Sequence, residues 1–363
     1  MDIETRLSLI KGVGEEIVTE GELRQLLETK SHPIAYDGFE PSGLAHLPFG
    51  IYRALLLKDL LKAGLRFKLF IADWHAQINN KMGGDLEKIH KVAEYFLEVW
   101  KAAGVPFDKV DVVWSSKLCS RIDYWKRVVL VAKNTSVKRA TRALSIMGRR
   151  EGELLEVAQY FYPPMQTADI FELGVDITQL GIDQRRSNML AREIAVKMRW
   201  KKPVVVSHHM LMGLEGAKVL DSAVTYDSNK KYSQEIASKM SKSKPSSSIF
   251  VHDSRGEIEN KIRKAYCKPK EIDNPVLDYC KEIVFRAFKE FCVERPKKFG
   301  GDLAFHNYQE LEDAFRKGDL HPLDLKNATA SYLDKLISPV RNHFEKGQAK
   351  KLFEFVKKEE ITR

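Results

Sequence analysis

Lys239-Met240-Ser241-Lys242-Ser243 stand inside a longer run, Ser238 to Ser248, in which lysines alternate with small hydroxyl side chains. Such a tract is too polar to bury and too short of apolar side chains to dock as a helix or strand, which predicts a flexible cationic loop. Ammonium groups on such a loop can follow a pyrophosphate as it separates, stabilising charge that develops only in the transition state. Taken alone, a Ser/Lys tract is more often a solvated linker, so the reading needs a second site. His46 offers one, in the run Gly43-Leu44-Ala45-His46-Leu47-Pro48-Phe49-Gly50. Pro48 suits the first turn of a helix, whose free N–H groups and positive dipole end favour phosphate, and an imidazole beside that end can help hold a triphosphate. A third constellation is Tyr162, Gln166 and Asp169. Pro163-Pro164 marks a helix start, and spacings of i+4 and i+7 from Tyr162 put all three side chains on one face. Met165, Ile170 and Phe171 flank that face, so it is partly buried, and a buried aspartate needs a donor. A phenol hydroxyl is such a donor, and Tyr36 could complete the hydrogen-bond pair.

The elements that must position these residues alternate along the chain. The first thirty residues read as one or two amphipathic helices, with Leu7, Ile10, Ile17, Leu23, Leu26 and Leu27 at helical intervals, forming an arm over 1–32. Ile34-Ala35-Tyr36 is a short strand ending at Tyr36, Gly38 to Gly43 is turn chemistry, and Ile51 to Ala63 is helical. Phe67 to Ala72, Asp111 to Trp114 and Val204 to Val206 are further strands, with a long helix from Leu86 to Ala103 between the first two. Strands alternating with helices predict a parallel sheet whose ligands sit at the carboxyl ends of the strands. The fold class expected is α/β: a Rossmann-like catalytic domain over 33–237 with an inserted helical segment at about 116–156, the loop and linker 238–250, then an α-helical domain over 251–363. In that last domain apolar residues recur at helical spacing and strand signal is slight. Its loops Arg295 to Asp302 and Leu320 to Asn327 are most simply helix punctuation, although Phe299 offers a stacking face and Asp324 an acceptor for a base edge.

Composition limits the alternatives. With 363 residues, 44% hydrophobic and 30% charged, the chain is long enough for two ordinary domains. A net charge of +10 leans toward polyanions such as nucleic acid. Cys119, Cys267, Cys280 and Cys292 form no CxxC pair, which argues against a zinc site or disulfide framework and makes them packing residues. Neither a signal segment nor a membrane span is expected, and the predicted compartment is the cytoplasm.

Lys239 to Ser243 reproduces the KMSKS signature of class I aminoacyl-tRNA synthetases, and His46-Leu47 resembles the start of the partner His-Ile-Gly-His signature, with Pro48-Phe49-Gly50 replacing its Gly-His. Tyr36 to Gly43, Ala72 to Ala76, Tyr162 to Ile170 and Gly181 to Arg186 resemble the archaeal and eukaryotic tyrosyl type. That resemblance implies ATP as a substrate with Mg²⁺ arriving on it, L-tyrosine and tRNA(Tyr) as partners, and a homodimer. It implies Lys239, Lys242 and His46 as catalytic groups on the phosphates, with Gly50 and Ser243 also touching ATP. For tyrosine it implies Tyr36 and Asp169 on the hydroxyl, and Tyr162, Gln166 and Gln184 around the ammonium and carboxylate. His75, taken as ending a strand, is equally a pocket or a structural residue. For tRNA it implies stacking by Phe299 and His321, a guanine contact by Asp324, and roles for Arg139, Arg142 and Arg185. The insertion, which also carries Arg149 and Arg150, would build the dimer interface and touch the acceptor stem. The segment Leu220 to Ile236 has no assignable role. The alternatives are a tryptophanyl enzyme on the same fold, a paralogue that binds RNA without catalysis, and a small-molecule adenylyltransferase.

Overall fold

The computed structural model describes residues 1–148, 156–217, 226–227 and 229–361. The chain divides into two compact units that interleave in sequence. One gathers Met1–Gly43, Leu57–Glu94 and Pro106–His209, and the other Leu44–Leu56, Tyr95–Val105 and the chain from Met210 onward. The expected sequential boundary near residue 237 therefore differs from this division.

The first unit is built on a six-stranded sheet: β1 (Glu16–Val18), β2 (Ile34–Phe39), β3 (Arg66–Ile71), β4 (Val110–Trp114), β5 (Ile177–Thr178) and β6 (Val204–Ser207), in spatial order β1-β6-β5-β2-β3-β4. β2 to β6 run parallel, as the alternation of strands with helices demands. The chain lays β3 and β4 on one side of β2, then β5 and β6 on the other. The carboxyl ends of β2 and β5 thus border the reversal point where open parallel sheets take their ligands. Tyr36 is the third of the six residues of β2, so the strand runs three residues beyond its expected end.

β1 corrects the reading of the amino-terminal segment as a purely helical arm. The helices Ile3–Val13 and Glu20–Thr29 form, but Gly14 ends the first, and Glu16-Ile17-Val18 joins the sheet antiparallel to β6, Glu16 opposite Ser207. Arg185 Nε holds this edge by donating to both carboxylate oxygens of Glu16, at 3.0 and 2.8 Å, and Arg192 Nη1 donates to the Val18 carbonyl at 3.0 Å. Thr19 then starts the second helix through a reciprocal cap with Glu22.

In the second unit the helices Arg255–Lys264 and Pro322–His343 are packed through Ile258 and Ile262 on the one and Leu325, Leu333, Ile337 and Val340 on the other, all buried. With buried Thr329 between Leu325 and Leu333, those positions recur every three or four residues, which is the stripe an amphipathic helix needs. The unit also holds an antiparallel hairpin, β7 (Phe291–Val293) and β8 (Leu303–Phe305). The loop Arg295 to Asp302 is the connection of that hairpin and not punctuation between helices. Cys119 and Cys280 are buried, and burial pushes each thiol up to about 12. Cys292, by contrast, is exposed and so is not the packing residue expected. No helix among the described residues is long and apolar enough to cross a membrane.

Candidate active site

Two sets of functional side chains are organised separately, one in each unit. In the first unit the Tyr162–Glu172 helix opens with its two prolines and carries Tyr162, Gln166 and Asp169 on one side, with Tyr162 and Asp169 buried. Asp169 is held from two directions. Tyr124, on the Ile122–Lys133 helix, donates its hydroxyl to Oδ1 at 2.9 Å, and His75 Nε2 lies 3.1 Å from Oδ2. The latter contact is close enough for attraction but off the line of a hydrogen bond, so Oδ2 and Nε2 both remain without a hydrogen-bond partner among the described residues. The Tyr36 hydroxyl and Gln166 Oε1 are buried and unpartnered in the same way. Burial first, then the Asp169 charge, raises the Tyr36 phenol far above its ordinary range, so it stays a hydrogen-bond donor. Buried polar atoms left open cost free energy unless something pairs with them.

The remaining pocket residues are pinned by one another. Gln166 Nε2 donates to Gln184 Oε1 at 3.1 Å, and Gln184 Nε2 donates to the Ile146 carbonyl at 3.1 Å. Tyr162 donates to Glu40 Oε1 at 2.5 Å, and Asn79 Nδ2 reaches both Glu40 oxygens at 3.0 and 2.9 Å. His75 does not end a strand. It lies in the short helix Asp73–Ile78, and its ring meets the edges of Tyr162 and Phe70 with centroids 4.8 and 6.1 Å away. Sequence reasoning missed Tyr124, Glu40 and Asn79. Glu40 could have been found from its turn beside Tyr36, whereas Tyr124 sits in a segment read as a charged insertion.

In the second unit main chain ties the His46 turn to residues 249–251, just beyond the lysine-rich run. His46 bridges Phe250 in antiparallel fashion, Leu47 N donates to the Ile249 carbonyl at 2.7 Å, and Val251 N donates to the Ala45 carbonyl at 3.1 Å. The Lys239-to-Ser243 segment is anchored at both ends, contrary to the expectation of a wholly solvated loop. Met240 is buried and its N–H donates to the Leu211 carbonyl at 2.7 Å, while Ser247 and Ser248 are buried and Ser248 Oγ donates to the Ser241 carbonyl at 2.7 Å. Lys242 Nζ stands 5.0 Å from the centre of the Phe96 ring, and exposed Ser243 pairs its hydroxyl with Ser241.

His46 is held well below the ordinary histidine range, chiefly by burial and then by Lys242, Lys239 and Arg53, so the imidazole is neutral. Its Nδ1 is buried and without a partner among the described residues. Pro48 begins a wide-turn helical segment, Pro48–Tyr52, that runs into the helix Arg53–Lys62. Gly50 is buried there, and a Cβ on it would stand 2.4 Å from Val251 Cγ1, so packing against Val251 accounts for the glycine.

Among the residues expected to meet RNA, Phe299 is 60% exposed at the tip of the β7–β8 connection. Arg295 ties that connection to the next loop, donating Nε to the Gly301 carbonyl at 2.9 Å and Nη1 to the Asp319 carbonyl at 3.0 Å. His321 is exposed and caps the Pro322–His343 helix, accepting from Leu323 N at 3.1 Å, and Asp324 is half-buried in its first turn. Arg142 is exposed, whereas Arg139 is paired with Glu193 at 2.7 Å and Arg185 is engaged with Glu16. Arg149 and Arg150 lie outside the described residues, as do residues 220–225 of the segment that precedes the lysine motif.

A family model described as tRNA synthetases class I (W and Y) matches residues 28–338. Among curated proteins, the chain is 44% identical to "Tyrosine--tRNA ligase 1, cytoplasmic" of Arabidopsis thaliana, an alignment spanning all of this chain and 90% of that one. It is 45% identical to the tyrosine–tRNA ligase of Thermococcus kodakarensis, over 95% of this chain and 96% of that one. Among solved structures, tyrosyl-tRNA synthetase of Pyrococcus horikoshii complexed with L-tyrosine superposes with a TM-score of 0.88 at 40% identity, covering 99% of this chain and all of the other.

Proposed function

This chain belongs to the class I tyrosyl-tRNA synthetases, and from that membership we propose a division of labour for its residues. It is a tyrosine–tRNA ligase: the tyrosine carboxylate attacks the α-phosphate of ATP, releasing pyrophosphate, and a ribose hydroxyl of the terminal adenosine of tRNA then attacks the tyrosyl-adenylate. No side-chain nucleophile is needed, so positioning and charge stabilisation carry the rate.

The observation that carries the substrate assignment is the open hydrogen-bonding capacity around Asp169. A phenol entering there donates to Asp169 Oδ2 and accepts from Tyr36. Phenylalanine would fill the same space and leave both groups unpaired. Tyrosyl enzymes are the standard instance of this effect, rejecting phenylalanine by about 10⁵, a value belonging to those enzymes and not deduced from this geometry. Gln166 Oε1, the Tyr162 hydroxyl and Gln184 take the ammonium and carboxylate. Glu40, fixed by Asn79, sets the direction in which Tyr162 points.

Lys239 and Lys242 act on the separating phosphates, and neutral His46 has one ring N–H to donate to a phosphate oxygen without adding a charge that would hold the product. Ser243 supplies a hydroxyl to the same group. Mg²⁺ arrives on ATP as part of that substrate. Phe299 and His321 stack on anticodon bases and Asp324 accepts from a guanine edge, while Arg142, with Arg139 and Arg185 once released from their carboxylates, meets phosphate. The exposed apolar residues Ile122, Val129 and Leu130 of one helix support a homodimer built on that face. The relative named cytoplasmic supports the same compartment here.

ATP–pyrophosphate exchange measured with each of the twenty amino acids tests the reading. Exchange is expected with tyrosine, and exchange driven by tryptophan instead would overturn it. Transcripts altered at single anticodon bases test the rest: Asp324→Ala should slow charging of the native transcript and spare those already changed at the base it reads.

A further inference from the structure

Ala45 precedes His46, and both of its main-chain groups are tied. Its carbonyl accepts from Val251 N, and its N–H donates to the hydroxyl of Tyr95 at 3.1 Å. Tyr95 is buried on the helix Leu86–Ala102, and the same hydroxyl stands 2.7 Å from His252 Nε2. With Nε2 as the unprotonated nitrogen of the ring, Ala45 N–H donates to Tyr95 Oη and Tyr95 O–H donates to His252 Nε2. That order requires an unprotonated Nε2. Burial first, then the charges of Lys357 and Arg341, lowers His252 to about 3 and keeps it neutral. The ring is also clamped mechanically. Phe353 of the last helix, Gly347–Ile361, stacks on it with centroids 3.9 Å apart, and Phe344 meets it edge-on at 4.9 Å.

We propose that Tyr95 and His252 are positioning residues for the phosphate step, holding the Ala45–His46 turn against residues 249–251 and linking it to the carboxyl-terminal helix through Phe353. The inference rests on the reading of His46 as a phosphate ligand. Neither residue touches substrate. Tyr95 fixes the main chain from which His46 projects, and His252 orients the Tyr95 proton so that the oxygen lone pair faces Ala45. Nothing in the lysine signature or in the histidine motif announces this pair, since both members lie outside those runs.

Single-turnover adenylate formation and equilibrium dialysis of tyrosine, measured on the full-length enzyme, test it. Tyr95→Phe is expected to slow adenylate formation about tenfold, the scale of one lost hydrogen bond, and to leave tyrosine affinity unchanged. His252→Asn keeps an acceptor and is expected to recover most of the rate that His252→Leu loses. In a His46→Ala background the Tyr95→Phe change should have no further effect, because residues that act through one another are not additive. An equal slowing in that background, or a parallel loss of tyrosine affinity, would make Tyr95 a general packing residue and overturn the inference. If His46→Ala alone leaves adenylate formation intact, the reading of His46 and the inference built on it both fail. If His46→Ala slows the step while Tyr95→Phe does not, the inference alone fails.

Discussion

The tyrosine pocket and the phosphate cradle reach preorganisation by opposite means. In the pocket, side chains hold side chains: Tyr124 holds Asp169, Gln184 holds Gln166, and Asn79 holds Glu40, which holds Tyr162. In the cradle, main chain holds main chain: residues 45–47 pair with 249–251, and Met240 is fixed to Leu211, while the lysines project from the pinned backbone. The difference follows the chemistry. Telling a phenol from a phenyl ring requires single atoms to be placed within hydrogen-bond tolerance, and Asp169 and Gln166 are each held by a second side chain, Tyr124 and Gln184. Following a phosphate that moves requires a fixed root and a long flexible side chain, which lysine has.

The comparison breaks most visibly at Lys242. Lys242→Ala is expected to lower single-turnover adenylate formation by about 10²-fold, the scale of one donor aimed at developing charge, with tyrosine affinity by dialysis unchanged. Equal losses in both would show that the loop shapes the pocket as well. Asp169→Ala should do the reverse, weakening tyrosine binding and eroding discrimination against phenylalanine by ~1–3 kcal/mol, the cost of a lost or unsatisfied buried hydrogen bond. Exchange kinetics with tyrosine and phenylalanine check it, and a variant that still rejects phenylalanine as well as the parent would remove Asp169 from the reading. Tyr124→Phe sharpens the claim that the pocket depends on support behind it. The expected loss of selectivity is smaller, ~1 kcal/mol, in the same assay with ATP saturation unaffected.

A separate effect concerns acidity and is read in stability, not rate. His252 has a folded value of about 3 against an ordinary 6.5, so the unfolded chain takes up a proton first as pH falls. Its contribution to stability is complete above about pH 6.5 and is lost as pH drops from there toward 3, at up to ~1.4 kcal/mol per pH unit. Urea midpoints at pH 7 and pH 5 should therefore lie closer together for His252→Asn than for the parent. An identical slope would mean that other groups carry the acid sensitivity.

The sequence disclosed whatever was encoded by local spacing. The lysine signature, the proline-led helix with Tyr162, Gln166 and Asp169 on one face, and the parallel strands β2, β3, β4 and β6 were legible for that reason, whereas the two-residue β5, Ile177–Thr178, was not. Contacts between distant segments were not. Glu16-Ile17-Val18 is too short to declare itself a strand, and only its pairing with β6 makes it one. Tyr124 reads as one aromatic residue in a charged insertion until its hydroxyl meets Asp169. The β7–β8 hairpin was hidden because Phe291-Cys292-Val293 and Leu303-Ala304-Phe305 are three-residue runs among strong helical signals. Gly50 was grouped with ATP by its motif, although the side chain of Val251 explains it.

The pairing of residues 45–47 with 249–251 also has a meaning in time. A ribosome delivers this chain from the amino end, and the His46 turn emerges long before the strand that completes it. Until residue 251 has left the exit tunnel, the turn has no antiparallel partner and His46 has no fixed bearing. The tyrosine pocket, whose supporting contacts all fall between Tyr36 and Gln184, can fold earlier. The contacts around Asp169 can therefore be completed on the growing chain before those that fix His46.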